Sequence, residues 1–413
     1  MRRRSSSSPS SAASSAADSR DIPAPALDRP PPSAARELAP LIPLFGLDVL
    51  MAATVGMMPP LLPLIGESFT LSPVGIGLVN TVYSLGRLAG SYPAAHVRAR
   101  WGTRTAAILG IGTIARGGVG CGVGPGYPTF LAWRLVMGVG ASAIFVAIFA
   151  ELLEAAPPRW RGRIANAFEG VAIAALAVGG MLAASLAAVA GWRSVFAAAA
   201  GVMLLGLIPG RWIPWTAGRR SAARPGAPEG RAGAPSVRSL APVYVACFAL
   251  AFTWSGLFVT LAPLLGHQRY GLDAGALGLA FAASYAAELS GLVGMALVID
   301  RVRSEPLFLA GGVAVAMGGL LMALAARPAF FIVGLALVGG GFSVWMVPAT
   351  LLAARAGTPI PAWHLAAYRI ALDAGTILGP MLVGAAAEVV GDRVTAGTAG
   401  LVTLAGAFAL FRR

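Results

Sequence analysis

With 413 residues, 57% of them hydrophobic and only 12% charged, the chain carries more apolar surface than a water-soluble core can bury, so lipid must serve as part of its solvent. The formal charge of +14 rests on 31 arginines and no lysine. Most lie in the tail, the linker and the polar connections between apolar runs, a distribution that points to membrane topology rather than to a nucleic-acid partner. Irregular backbone is not tolerated in hydrocarbon, and apolar runs of about twenty residues select helices over a barrel.

In chain order, residues 1–38 are rich in Ser, Ala and Pro without an apolar core, and read as a disordered cytosolic tail rather than a signal peptide. Six candidate spans follow, at roughly 40–64, 74–97, 104–123, 128–153, 163–190 and 193–213. A stretch of Arg, Gly, Ala and Pro over 216–240 has no apolar periodicity and predicts a cytosolic linker. Six further spans run at roughly 241–266, 274–299, 306–326, 329–354, 362–390 and 394–411. The expected organisation is all-α and integral to the membrane: a tail (1–38), a six-helix bundle (39–215), a linker (216–240) and a second six-helix bundle (241–413).

The two halves repeat each other. Gly77-Leu78 precedes Arg87 as Gly278-Leu279 precedes Glu288, at an offset of 201, and Glu169, Gly179, Gly191 and Arg193 answer Arg369, Gly379, Gly391 and Arg393 at 200. Parallel six-helix repeats related by an axis along the membrane normal build alternating-access transporters, with the solute held between them. If the amino terminus is cytosolic, cytosolic segments hold 23 arginines and outer loops hold four. That asymmetry places both termini in the cytosol. Cys121 and Cys247 lie inside apolar runs and the three histidines are scattered at helix ends, so neither a metal site nor a disulfide framework is expected. No nucleophile, base and orienting group share a spacing, and no phosphate-cradling loop is present; the chain does not read as an enzyme, and no cofactor is expected.

At the junction of the second and third spans, Ala95-His96-Val97-Arg98-Ala99-Arg100-Trp101-Gly102-Thr103-Arg104 resembles the cytosolic loop signature of the major facilitator superfamily, Gly-x-Leu-x-Asp-Arg-x-Gly-Arg-Arg. The match keeps Arg100, Gly102 and Arg104, and the missing acid reappears in the second half as Asp300-Arg301. Arg134-x-x-x-Gly138-x-Gly140 in the fourth span is similar to a further motif of that family. The resemblance implies twelve helices, most like the drug and metabolite efflux branch of proton antiporters, in a bacterial inner membrane and as a monomer. In the fifth span Ala175 and Leu176 stand where that branch carries Gly-Pro. It also implies a cytosolic gate at Arg100, Gly102, Arg104, Asp300 and Arg301, with Glu151 and Glu154 as local acids. The plain alternative is a set of positive-inside anchors.

Eight ionisable side chains fall inside the predicted spans: Asp48, Arg87, Arg116, Arg134, Glu169, Glu288, Arg369 and Asp373. Each would cost about 3 kcal/mol facing lipid, so all are expected to face the interior. Arg369 and Asp373, four apart, either neutralise each other on one helix face or exchange partners during transport. The family packing, second helix by eleventh and fifth by eighth, would bring Arg87 toward Asp373 and Glu169 beside Glu288. Two close carboxylates cannot easily both stay ionised, so one would carry a proton; Glu288 is the first choice for coupling and Asp48 the second. Resemblance assigns Arg134 to proton release. Asn80, Tyr83, Trp254, Tyr285, Trp345 and Tyr368 are the candidate solute contacts. Together they suit an amphipathic or aromatic compound better than a sugar. The expected function is proton-coupled export of a small organic or amphipathic compound. Proton-linked uptake is the alternative, followed by a transport-inactive sensor on the same fold.

Overall fold

The protein is described here from a computed structural model covering residues 38–157, 160–215, 237–298, 301–356 and 362–411. The predicted tail before Leu38, linker residues 216–236 and Asp300 lie outside the described residues. Regular structure among the described residues is helical throughout. Twelve spans follow one another: α1 (Ile42–Gly56, resumed as Leu62–Phe69), α2 (Pro73–Trp101), α3 (Thr103–Val123), α4 (Tyr127–Ala155), α5 (Arg161–Ala190) and α6 (Trp192–Leu205). The second half contains α7 (Val237–Thr253, continued by Trp254–Leu261 and Ala262–Tyr270), α8 (Ala274–Val298), α9 (Ser304–Leu324), α10 (Pro328–Phe342 and Val347–Ala356), α11 (Ala362–Val390) and α12 (Asp392–Ala409).

Ten of these are long and apolar enough to cross a membrane. α2 falls short because Asn80, Thr81, Ser84 and Arg87 interrupt it, and α12 because Asp392 and Arg393 dilute its 18 residues. The helices overrun the apolar stretches; α1, expected to end near residue 64, resumes after a tight turn at Pro59–Leu61 and reaches Phe69. Pro59 and Pro60 supply no N–H, so the α-helical ladder breaks there. An even number of spans returns the last helix to the face on which the first began. We call this the terminal face and the opposite one the far face.

One buried apolar cluster is built almost wholly from α1–α6 and another almost wholly from α7–α12. Within the first, α2 crosses α4 so closely that a Cβ on Gly138 would lie 2.1 Å from the Tyr83 carbonyl oxygen, and one on Gly140 would lie 2.7 Å from Ile114 N of α3. The two glycines of the Arg-x-x-x-Gly-x-Gly motif are therefore contact points for two different helices. Gly339 and Gly341 do the same in α10, against Ser284 and Gly311. The repeat also sets the joints between the halves: Gly77 of α2 meets Pro380 of α11, and Gly278 of α8 meets Gly180 and Ala184 of α5. Arg193 and Arg393 are capping groups: Arg193 donates to the carbonyls of Gly122 and Gly124 at the end of α3, and Arg393 to Ala323 at the end of α9. A cation there also complements the negative end of the helix dipole.

Candidate functional site

A cavity of about 80 Å³ lies between the halves. Solute sites usually measure roughly 300–1,000 Å³, so in this conformation the walls are drawn in and must part to admit a ligand. α2 contributes Asn80, Tyr83, Ser84 and Arg87, spaced so that one helix face points inward. α1 adds Met51, Thr54, Val55 and Met58, α4 adds Arg134 and Met137, and α7 and α11 add Trp254, Ser255, Val259 and Thr376.

The wall from α7 is a π-helical stretch, Trp254–Leu261, whose wider turn lets Thr260 Oγ1 donate to the Ser255 carbonyl five residues back. Such turns expose extra polar groups and recur at functional sites. Here the hydroxyl of Thr260 also accepts from Asn80 Nδ2 at 3.0 Å, and Ser255 donates to the Thr376 carbonyl at 3.0 Å, tying α2, α7 and α11 together at the cavity. No periodicity in the sequence marks this turn; the Thr and Ser five apart are its only trace.

Arg134 is buried, 5% exposed. Its guanidinium carbon stands 4.5 Å above the Tyr83 ring centre, its Nε reaches the Val79 carbonyl only at 3.5 Å, and among the described residues no carboxylate pairs with it. Arg87 lies one turn along α2 from Tyr83, on the same wall and also without an acid partner among the described residues.

A second constellation lies toward the terminal face. Asp48 and Glu288 are buried, at 2% and 5% exposed, while Glu169 is half-buried. α5, which carries Glu169, packs against both α1, which carries Asp48, and α8, which carries Glu288. Asp48 Oδ2 and Glu288 Oε2 have no hydrogen-bond partner among the described residues. The three acids thus stand on mutually packed helices drawn from both halves.

Asp373 is held by Arg369, Nε to Oδ2 at 2.8 Å, the first of the two alternatives expected for that pair. Other expectations need correction. Tyr285 does not face the cavity; it is 2% exposed and edge-packed on Phe258 at 5.6 Å, because the apolar clustering of α7, α8 and α10 claims it. Trp345 stands behind Trp254, ring centres 5.9 Å apart, and Tyr368 packs against the core of the second half; neither lines the cavity. Arg116, expected inside, is exposed on the outward stripe of α3 with Ile108, Leu109, Val119 and Val123. It lies two turns from the far end, near enough for a long side chain to reach the interface.

Of the predicted gate, Arg100, Arg104 and Arg301 are exposed, Gly102 turns the chain at φ 87°, and Glu151 is buried. Arg100 and Arg104 make no ion pair among the described residues. Among the described residues, the hydrogen bonds joining the halves lie at the cavity, as Asn80 to Thr260 does, or toward the far face. Thr81 donates to the Ile377 carbonyl at 2.9 Å, the Val74 amide to Glu388 at 2.9 Å, and His267 meets Glu67 at 2.7 Å.

Twelve membrane spans in two repeats, closed around a small polar cavity, are the architecture of a secondary transporter rather than an enzyme. The chain matches the Major Facilitator Superfamily over residues 44–360, and it belongs to that family. It is 28% identical over 161 residues to the uncharacterized MFS-type transporter YcaD of Escherichia coli, an alignment spanning 39% of this chain and 42% of that protein. It therefore aligns with less than half the length of the curated relatives it matches. In fold it is similar to the inward-open xylose transporter XylE of E. coli, with a TM-score of 0.75 at 15% identity over 91% of this chain and 96% of that one. It is also similar to the nucleoside transporter NupG, with a TM-score of 0.72 at 12% identity over 90% and 99%. The human organic anion transporter MFSD10 gives 0.68 at 17% identity over 92% and 100%.

Proposed function

We propose that the chain exports a small organic or amphipathic compound in exchange for protons, by rocking of its two six-helix halves in a bacterial inner membrane with the terminal face cytosolic. The observation that carries this reading is the group Asp48, Glu169 and Glu288, drawn from three helices and both halves, with two buried oxygens unpartnered. Carboxylates gathered in a low-dielectric interface between the halves are suited to carrying the exchanged proton, because ionising all of them there is costly. Movement of α5 against α8 changes the repulsion and the access of water together, coupling proton release to conformation.

The bonded far face and the lack, among the described residues, of an ion pair at Arg100 or Arg104 support an inward-facing state, in which a gate at the terminal face stands open. The similarity in fold to inward-open XylE agrees with this. Tyr83 and Trp254 give the cavity an aromatic side suited to an amphipathic solute. Proton flux into proteoliposomes, recorded across a panel of organic solutes, tests the reading: Glu288→Gln should abolish solute-dependent flux, and unchanged flux in that variant would remove the coupling assignment. Ala175 and Leu176, in place of the Gly-Pro of efflux antiporters, favour proton-linked uptake as the second reading. Under it, energised vesicles would accumulate solute while the outside pH rises.

A further inference from the structure

Resting on the transporter reading, we propose that the solute is an organic anion, recognised through a carboxylate or similar group by Arg134, with Arg87 assisting. The cavity wall holds two arginines and neither Asp nor Glu. Arg134 is the more telling of the two. A guanidinium has five N–H donors, cannot shed its proton at any physiological pH, and is costly to bury without an acceptor. Among the described residues it meets only a ring face, a long contact to the Val79 carbonyl and a methionine sulfur at 4.0 Å. Breaking a buried ion pair is strongly destabilising, and a fold that keeps an unpaired guanidinium at a cavity leaves room for a ligand to complete the pair.

The internal acids do not serve in its place. Asp373 is occupied by Arg369, and Asp48, Glu169 and Glu288 form their own group outside the cavity wall. Tyr83 holds the guanidinium from below, leaving its edges for planar, two-pronged contact with a carboxylate. The remaining wall defines the rest of the solute. Trp254, Met51, Met58, Met137, Ile114 and Val259 call for an apolar or aromatic body, with Asn80, Ser84 and Thr376 at its edge. A sugar or an amine would leave Arg134 uncompensated; an aromatic or aliphatic acid would not.

The test uses the purified full chain in lipid nanodiscs with three probes of one shape, benzoate, benzamide and benzylamine, at neutral pH. Benzoate should bind at least about tenfold more tightly than benzamide, the discrimination expected of a charge-assisted hydrogen-bonded pair, and benzylamine should bind most weakly. Arg134→Gln should bring benzoate down to the benzamide level, and Arg134→Lys should restore part of the preference. Equal or tighter binding of benzamide or benzylamine, absence of binding by all three probes, or a preference surviving Arg134→Gln overturns the assignment. If Arg134→Gln does not fold, the probe series on the parent chain still decides. Solute-driven proton flux in proteoliposomes separates the two levels of inference. Flux with neutral or cationic solutes alone would remove the anion and leave the transporter, whereas loss of coupling with every solute would remove the transport reading itself. With benzoate, proton exchange moves net charge while one-to-one co-transport moves none, so the accompanying current also distinguishes export from uptake.

Discussion

His267 and Glu67 occupy equivalent positions in the two repeats, exactly two hundred residues apart, and they meet across the far face. The imidazole Nε2 lies 2.7 Å from Glu67 Oε1 and Nδ1 lies 2.8 Å from the Leu272 carbonyl. Both partners are acceptors, so the ring satisfies both only when it carries both protons. Glu67 and Asp273 are the negative groups acting on it, and Arg269 is the nearby cation on its own helix. The contact should therefore hold the far face shut when His267 is charged and weaken as pH rises through its titration. With side chains 26% and 63% exposed, the pair is worth about 0.5–1 kcal/mol, a two- to fivefold change in the ratio of closed to open far faces. Spin labels on cysteines introduced at Pro125 and Ala326, in far-face loops of opposite halves, report that ratio as a distance distribution. The native cysteines are buried and stay unlabelled. Glu67→Gln and His267→Gln should both shift the distribution toward longer distances at mildly acid pH and flatten its pH dependence. Glu388→Gln, which retains an oxygen acceptor for the Val74 amide, should not. A parent distribution unchanged between mildly acid and alkaline pH, and equally unchanged in both variants, would refute the latch.

Three further outcomes follow from the packing. Gly138→Ala places a methyl 2.1 Å from the Tyr83 carbonyl and 2.9 Å from Arg87 N, so α2 must move; the expected cost is about 1–3 kcal/mol, seen as a lower unfolding midpoint in detergent together with weaker solute binding. Tyr285→Ala should lower that midpoint more, by a core deletion of about 3–5 kcal/mol, without altering solute preference, whereas Trp254→Ala should alter preference at smaller cost; the opposite pattern would exchange their roles. Arg355→Gln breaks the 2.9 Å bond to Glu305 at the terminal face but leaves Arg303 at 3.7 Å from the same carboxylate, and with Arg355 29% exposed the loss should stay under about 1 kcal/mol in a thermal-shift assay.

The membrane class and the count of spans were legible in the sequence because hydrocarbon imposes a rule with few exceptions: about twenty apolar residues, all backbone groups satisfied within the helix. The repeat was legible for a related reason. Gly77 and Gly278 sit at the two joints between the halves, where an added Cβ would lie 2.3 Å from the Pro380 carbonyl oxygen and 3.0 Å from the Ala184 Cβ, so small residues at both mark a visible register. Candidate charges were legible as exceptions to apolarity, yet their surroundings were not. Spacing along one helix could suggest Arg369 with Asp373, but only packing could set the helices of Asp48, Glu169 and Glu288 against one another, since that depends on crossing angles that no local pattern encodes.

For the same reason the aromatic residues sorted differently in space than in sequence. Tyr83 and Tyr285 stand almost one repeat apart, at 202, yet one faces the cavity and the other is enclosed by Phe258 and its neighbours. A one-residue departure from the repeat turns a helical side chain by about 100°, enough to carry it from one wall to another. By itself the sequence determined the solvent the chain lives in, its twofold construction and which groups were too polar for lipid. The tertiary structure decided which of those groups meet, which stand at the cavity and which turn outward, because that depends on the azimuth of each helix and is fixed only when all of them pack.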